Sequence, residues 1–230
     1  MSACHPILAE TVGAAIARLP DTAISWLVFL GIMAVVAALS FYLQRRRREG
    51  LQRAAEEMGF AFEPRPSGIE LGEELMALPL LRRQSGLSNL LRGSFGGAEV
   101  LVLDCRVGSG KQAITQTLAC FPLRGKSLPK FELRPENILH KIGSAFGYKD
   151  IDFETHPGFS GSYLLRGEDE QAIRSLFHFG LLSFFEEQKG WCVEGGGPWL
   201  GLYRQGRTVS PKKLREFLEE AARVYAAFGH

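Results

Sequence analysis

Asp152, Glu154 and His156 recur at every second position in Asp150-Ile151-Asp152-Phe153-Glu154-Thr155-His156. Read as a strand, this period of two sets Ile151 and Phe153 on a core face and the carboxylates and imidazole on the other, a donor set suited to a divalent cation. With His140 as a further base, such an ion would lower the pKa of a bound water and support metal-assisted hydrolysis. Residues two apart on a strand stand roughly 7 Å from one another, too far for three to share one ion without a bend. A solvated strand face accounts for the same pattern. Asp152, Glu154 and His156 therefore stand as metal-ligand candidates only, and no catalytic residue, cofactor or metal is assigned.

Two other stretches imitate chemistry and fail on their residues. Gly108-Ser109-Gly110-Lys111 suggests a phosphate loop, but Cys105 stands where the first glycine of G-x-x-x-x-G-K-[ST] belongs, and Gln112 replaces the hydroxyl residue that would bind magnesium. The segment reads instead as an exposed hairpin tip, so no nucleotide is expected. Gly158-Phe159-Ser160-Gly161-Ser162 resembles a nucleophile elbow, but Ser162 occupies the place of the final glycine and the segment leads into a strand. It reads as a turn. Cys4, Cys105, Cys120 and Cys192 include no C-x-x-C pair. Structural zinc is not expected, and three of the four sit among apolar neighbours in predicted strands, as buried small hydrophobes do.

The element before all of these is a membrane anchor. From Ala23 to Leu43 the chain carries 21 residues without a charge; at about 1.5 Å per residue they span a hydrocarbon core of about 30 Å. Trp26 and Tyr42 suit the two interfaces, and Pro20, Asp21 and Thr22 stop and cap the helix. A cleavable signal peptide carries its positive charges before the apolar stretch. Here they follow it. Arg18 precedes the span, whereas Arg45, Arg46, Arg47, Arg48 and Arg53 come soon after, so the positive-inside rule predicts a cytoplasmic C-terminal domain and an outer N-terminal arm. The expected organisation is an arm over 1–22, a transmembrane helix over 23–43, a basic helical stalk over 44–58 and an α+β domain over 59–230. Ala34 and Ala38 also permit close pairing with another helix in the membrane.

Within the domain, Phe60 and Phe62 alternate as a strand, and Pro79 breaks a mixed segment from Leu71 to Leu91. Val100–Leu103 and Ile114–Leu118 predict a hairpin, with a second about Gly195-Gly196-Gly197-Pro198. The prolines of 122–135 predict an irregular or edge segment, followed by a helix from Glu136 to about Phe146. Ile173, Leu176, Phe177, Leu181, Phe184 and Phe185 make one apolar helical stripe, and Leu214, Phe217, Leu218, Ala221, Val224 and Phe228 another. The fold class expected is an antiparallel sheet covered by two C-terminal amphipathic helices. A helix followed by Gly59-Phe60-x-Phe62-Glu63 is echoed by one followed by Gly190-Trp191-x-Val193-Glu194, so a duplicated architecture is conceivable from five similar positions.

Composition sets limits on function. The 230 residues are 46% hydrophobic and 23% charged, with 27 basic and 25 acidic side chains for a net charge of +2. That balance fits a globular domain and gives no stripe of cations for nucleic acid.

The runs FGGAEVLVLDCRVGSGKQAITQTLACF, KFELRPENILHKIG, DIDFETHPGFSGSYLLRGEDE and GWCVEGGGPWLGLYR resemble, over about 45–228, a group of uncharacterised bacterial membrane proteins built as one span plus a cytoplasmic α+β domain. The resemblance implies the bacterial inner membrane and carries no activity, ligand or catalytic residue. The expectation is a membrane-tethered, non-enzymatic interaction domain or accessory subunit, with the lipid bilayer and another membrane or cytoplasmic protein as partners. Metal-assisted hydrolysis is the alternative, and headgroup sensing by Arg45–Arg48 a third reading that topology already accounts for.

Overall fold

A computed structural model describes residues 21–136 and 149–229. The N-terminal arm up to residue 20, His140 and the expected helix after Glu136 lie outside the described residues. The chain divides into two compact units, Met1–Arg47 and Arg48–His230.

Helix α1 runs Asp21–Met58 without a break, so the expected span and stalk are one element. From Ser25 onward it is long and apolar enough to cross a membrane, with a mean hydropathy of 2.3 in its most apolar window and none of that window buried. An exposed apolar surface of this extent supports a membrane-associated segment. Gly59 ends the helix at φ +70, where Gly59 N–H reaches Glu56 O and Phe60 N–H reaches Ala55 O. A side chain is disfavoured in that left-handed conformation, so glycine is the natural C′ residue.

The second unit is an α+β domain built on one antiparallel sheet. Its strands are β1 (Ala61–Glu63), β2 (Gln84–Phe95), β3 (Ala98–Val107), β4 (Ile114–Pro122), β5 (Leu128–Pro135), β6 (Tyr163–Gly167), β7 (Cys192–Gly197) and β8 (Trp199–Tyr203), in the order β1-β2-β3-β4-β8-β7-β5-β6. The β3–β4 and β7–β8 hairpins stand where the turn residues put them. β5, expected to be irregular or at an edge, is interior, paired to β6 on one side and β7 on the other. Its prolines fit because Pro129 falls within the register irregularity between Leu128 and Phe131 and Pro135 ends the strand, so neither removes a needed donor. The echoed motifs begin unlike strands, β1 at the sheet edge and β7 in its interior.

Alternation along the strands makes two buried faces. On one, Val102, Phe121, Leu133, Val193 and Leu202 join Leu51 and Ala55 of α1 and apolar residues of α6 (Glu170–Leu176), α7 (Phe179–Glu187) and α8 (Leu214–Gly229). The single helix expected over Ile173–Phe185 is two. Phe177, at ψ 60, and His178, at ψ 170, interrupt it, and Leu181, Leu182 and Phe185 of the second helix are buried with Phe177 in the same core. On the other face, Leu103, Leu118 and Cys120 lie under a strap of three short helices, α2 (Gly68–Leu71), α3 (Glu73–Met76) and α4 (Pro79–Arg82), which supply Leu71, Leu75, Leu80 and Leu81. Gly201 lies beneath this strap. A Cβ there would stand 3.1 Å from Leu78 Cδ1, so the close approach favours glycine.

Candidate functional site

The expected strand over 150–154 is an irregular segment followed by a turn at Glu154 and Thr155. It docks on the outer edge of β6 by Ile151 N–H to Leu165 O at 2.8 Å, while Leu165 N–H donates to Asp150 Oδ1 at 2.9 Å. Burial is the main influence pushing Asp150 above the usual carboxylate range. Asp152 and Glu154 face solvent, but His156 turns inward. Its Nδ1 lies 3.0 Å from Thr155 Oγ1, its Nε2 3.4 Å from Ser183 Oγ, and its ring packs edge-on to Phe179. The three candidates therefore do not converge. Among the described residues no group of three or more His, Cys, Asp or Glu is placed to hold a metal ion.

The other lookalikes are also accounted for. Lys111 is exposed in the short 3₁₀ turn that joins β3 to β4. Ser160 ends α5 (Pro157–Ser160), and its Oγ accepts from Phe153 N–H at 2.9 Å. Cys105, Cys120 and Cys192 are buried free thiols on the strap face, and burial pushes Cys105 and Cys192 up to about 12 and Cys120 well above its ordinary value.

The concentrated polar chemistry lies where the strap meets β5, β7 and β8, at residues not singled out by sequence. Glu132 is the register partner of Glu194, and Arg166 of β6 is the partner of Glu132 on the other side. Arg134, two residues along β5, shares their face by the period of two. Arg83, just after α4, comes down from the strap. Its Nη2 lies 3.0 Å from Glu132 Oε1 and 3.7 Å from Glu194 Oε1. Arg134 Nη2 pairs with the same Glu132 oxygen and lies 4.0 Å from Glu194 Oε1. Glu194 also accepts from Leu80 N–H at 2.7 Å and from Tyr203 O–H at 2.9 Å.

Both acids sit deep, Glu194 at 0% and Glu132 at 7% exposure. Burial first, then the Glu132 carboxylate, pushes Glu194 up to about 8, against the lowering influence of Leu80 N–H, Arg134 and Arg83. Burial opposes the Arg134 charge, but Tyr203, Glu132 and Glu194 outweigh it and hold its pKa above the usual arginine value. Tyr203 rises because it is buried and beside Glu194. A carboxyl titrating near neutrality is suited to proton transfer. Reach decides otherwise: the adjoining cavity is ≈ 20 Å³ and Glu194 does not line it. A site of that size holds about one water. The cluster acts as a clamp that ties α4 to three strands. Its sequence signal was charge inside otherwise apolar strands, Glu132 and Arg134 in Phe-Glu-Leu-Arg and Glu194 between Val193 and Gly195.

No family model matches the chain, and no curated protein matches it. Among solved structures, the crystal structure of the mycobacterial trehalose monomycolate transport factor A, TtfA, is similar, with a TM-score of 0.56 at 12% identity, over 81% of this chain and 92% of that one. At that identity the likeness is one of fold.

Proposed function

We propose that the protein is a single-pass accessory subunit of a bacterial inner-membrane complex, anchored by α1 with its N-terminus outside and its α+β domain in the cytoplasm, where it docks another protein. The observation that carries this reading is α1 itself, whose apolar part is unburied while Leu51 and Ala55, further along the same helix, belong to the domain core. Such an element couples a folded domain to the bilayer. The fold likeness to a mycobacterial transport factor supports an accessory role, and Arg45–Arg48 after the span support the orientation. On this reading the C-terminal helices complete one face of the sheet and leave the domain rigid enough to present a fixed surface.

Two measurements test it. A green fluorescent reporter at the C-terminus should fluoresce in the cytoplasm, and the chain purified from gently solubilised membranes should bring down one protein in stoichiometric amount. A periplasmic C-terminus, or a chain that always purifies alone after crosslinking in intact cells, would overturn the proposal.

A further inference from the structure

The cavity beside the clamp lies between α4 and the β5–β6 edge, with Arg82, Lys130, Glu132, Arg166 and Glu168 in its wall. Directly behind Glu132 stand Arg83 and Arg134. With every carboxylate ionised, five cations gather here against Glu132, Glu168 and Glu194. Arg82, Lys130 and Glu168 stand exposed at the mouth, while Arg83, Arg134 and Arg166 are partly buried against the buried Glu132 and Glu194, so positive charge is in excess in the inner part as well. The donors are also in excess. Arg166 Nε, Arg134 Nε, Arg83 Nε and Arg83 Nη1 are buried and have no hydrogen-bond partner in the structure. An unpaired buried guanidinium donor is costly, and a water satisfies its hydrogen bond without balancing its charge.

We propose that this cavity binds one small monovalent anion of the halide class, chloride under cellular conditions, held by the Arg166 guanidinium and drawn in past Lys130. Size selects the class. At ≈ 20 Å³ there is room for one water-sized particle and not for a phosphate or sulfate group. The bound ion neutralises the excess charge where α4 meets β5 and β6, and so fastens the strap to the sheet. This inference stands apart from the docking role and survives its failure.

The test is thermal unfolding of the full chain in detergent micelles at a constant ionic strength of about 0.15 M, with sodium methanesulfonate replaced stepwise by sodium chloride or sodium bromide. Both halides should raise Tm saturably by about 2–4 °C, the shift expected for about 1 kcal/mol in a chain of this size. Arg166→Gln should abolish the halide-dependent rise whatever its own Tm. Lys130→Gln, at the exposed mouth, should fold normally and raise the half-saturating chloride concentration several-fold. Equal Tm values in methanesulfonate and chloride would mean that water alone fills the cavity and would overturn the proposal, as would an undiminished halide response in both variants.

Discussion

Glu132 and Glu194 are direct cross-strand partners on β5 and β7, two carboxylates in register on a buried face of the sheet. Like charges so placed repel, and the arrangement persists because Arg83 and Arg134 reach into the pair and Leu80 N–H and Tyr203 O–H hold Glu194 from the strap and from β8. The strap and three strands thus meet at one carboxyl.

That carboxyl should set the pH dependence of stability. Glu194 is pushed from an ordinary value of 4.5 up to about 8, so the folded state holds its proton more tightly than the unfolded chain does. Its contribution is fully present below about 4.5 and is lost as pH rises through about 8, with a slope of at most about 1.4 kcal/mol per pH unit. Tm of the full chain should therefore fall more steeply between these limits in the wild type than in Glu194→Gln; superimposable profiles would show that Glu194 titrates at its ordinary value.

Removing one member of the clamp should cost more than removing a compensating pair. Arg134→Met leaves Glu132 buried with Arg83 as its remaining partner and should destabilise the domain by about 3–5 kcal/mol. Adding Glu132→Gln should return part of that loss, a coupling that chemical denaturation of the two single variants and the double variant can measure. Strictly additive losses would mean that the two side chains do not interact.

Gly195 faces Phe131 across β7 and β5, and a Cβ at Gly195 would overlap the Phe131 ring. Gly195→Ala should destabilise by about 1–3 kcal/mol through overpacking. The same substitution in a Phe131→Leu background should cost clearly less, because the ring that it strikes is gone. Thermal unfolding of the four chains decides the matter.

Cys105, Cys120 and Cys192 should be inert while the domain is folded. A thiolate is the reactive form, and burial holds all three thiols far above neutrality. An aromatic disulfide reagent at mildly alkaline pH, with peptide mapping, should leave these three unmodified until denaturant is added. Rapid labelling of any one in the folded chain would contradict its burial on the strap face.

The amino-acid sequence determined what depends on near neighbours. An uncharged apolar run specifies an α1 long and apolar enough to cross a membrane, glycines and apolar alternation specify the β3–β4 and β7–β8 hairpins, and the stripe from Leu214 to Phe228 specifies α8. Tertiary structure decided what depends on residues far apart in the chain. Register between β5 and β7, and no local pattern, brought Glu132 beside Glu194 and made β5 interior despite its prolines, which fall where the ladder needs no donor. The expected long helix is broken at Phe177–His178, although Phe177, Leu181 and Phe185 would share one face of a continuous helix, so the apolar stripe by itself did not reveal the break. Packing turned His156 away from Asp152 and Glu154, since a segment docked on β6 by one backbone hydrogen bond from Ile151 and by the Asp150 side chain need not keep the strict alternation of a paired strand. Periodicity reports which way a side chain faces along its own element, whereas a site is made by which elements meet.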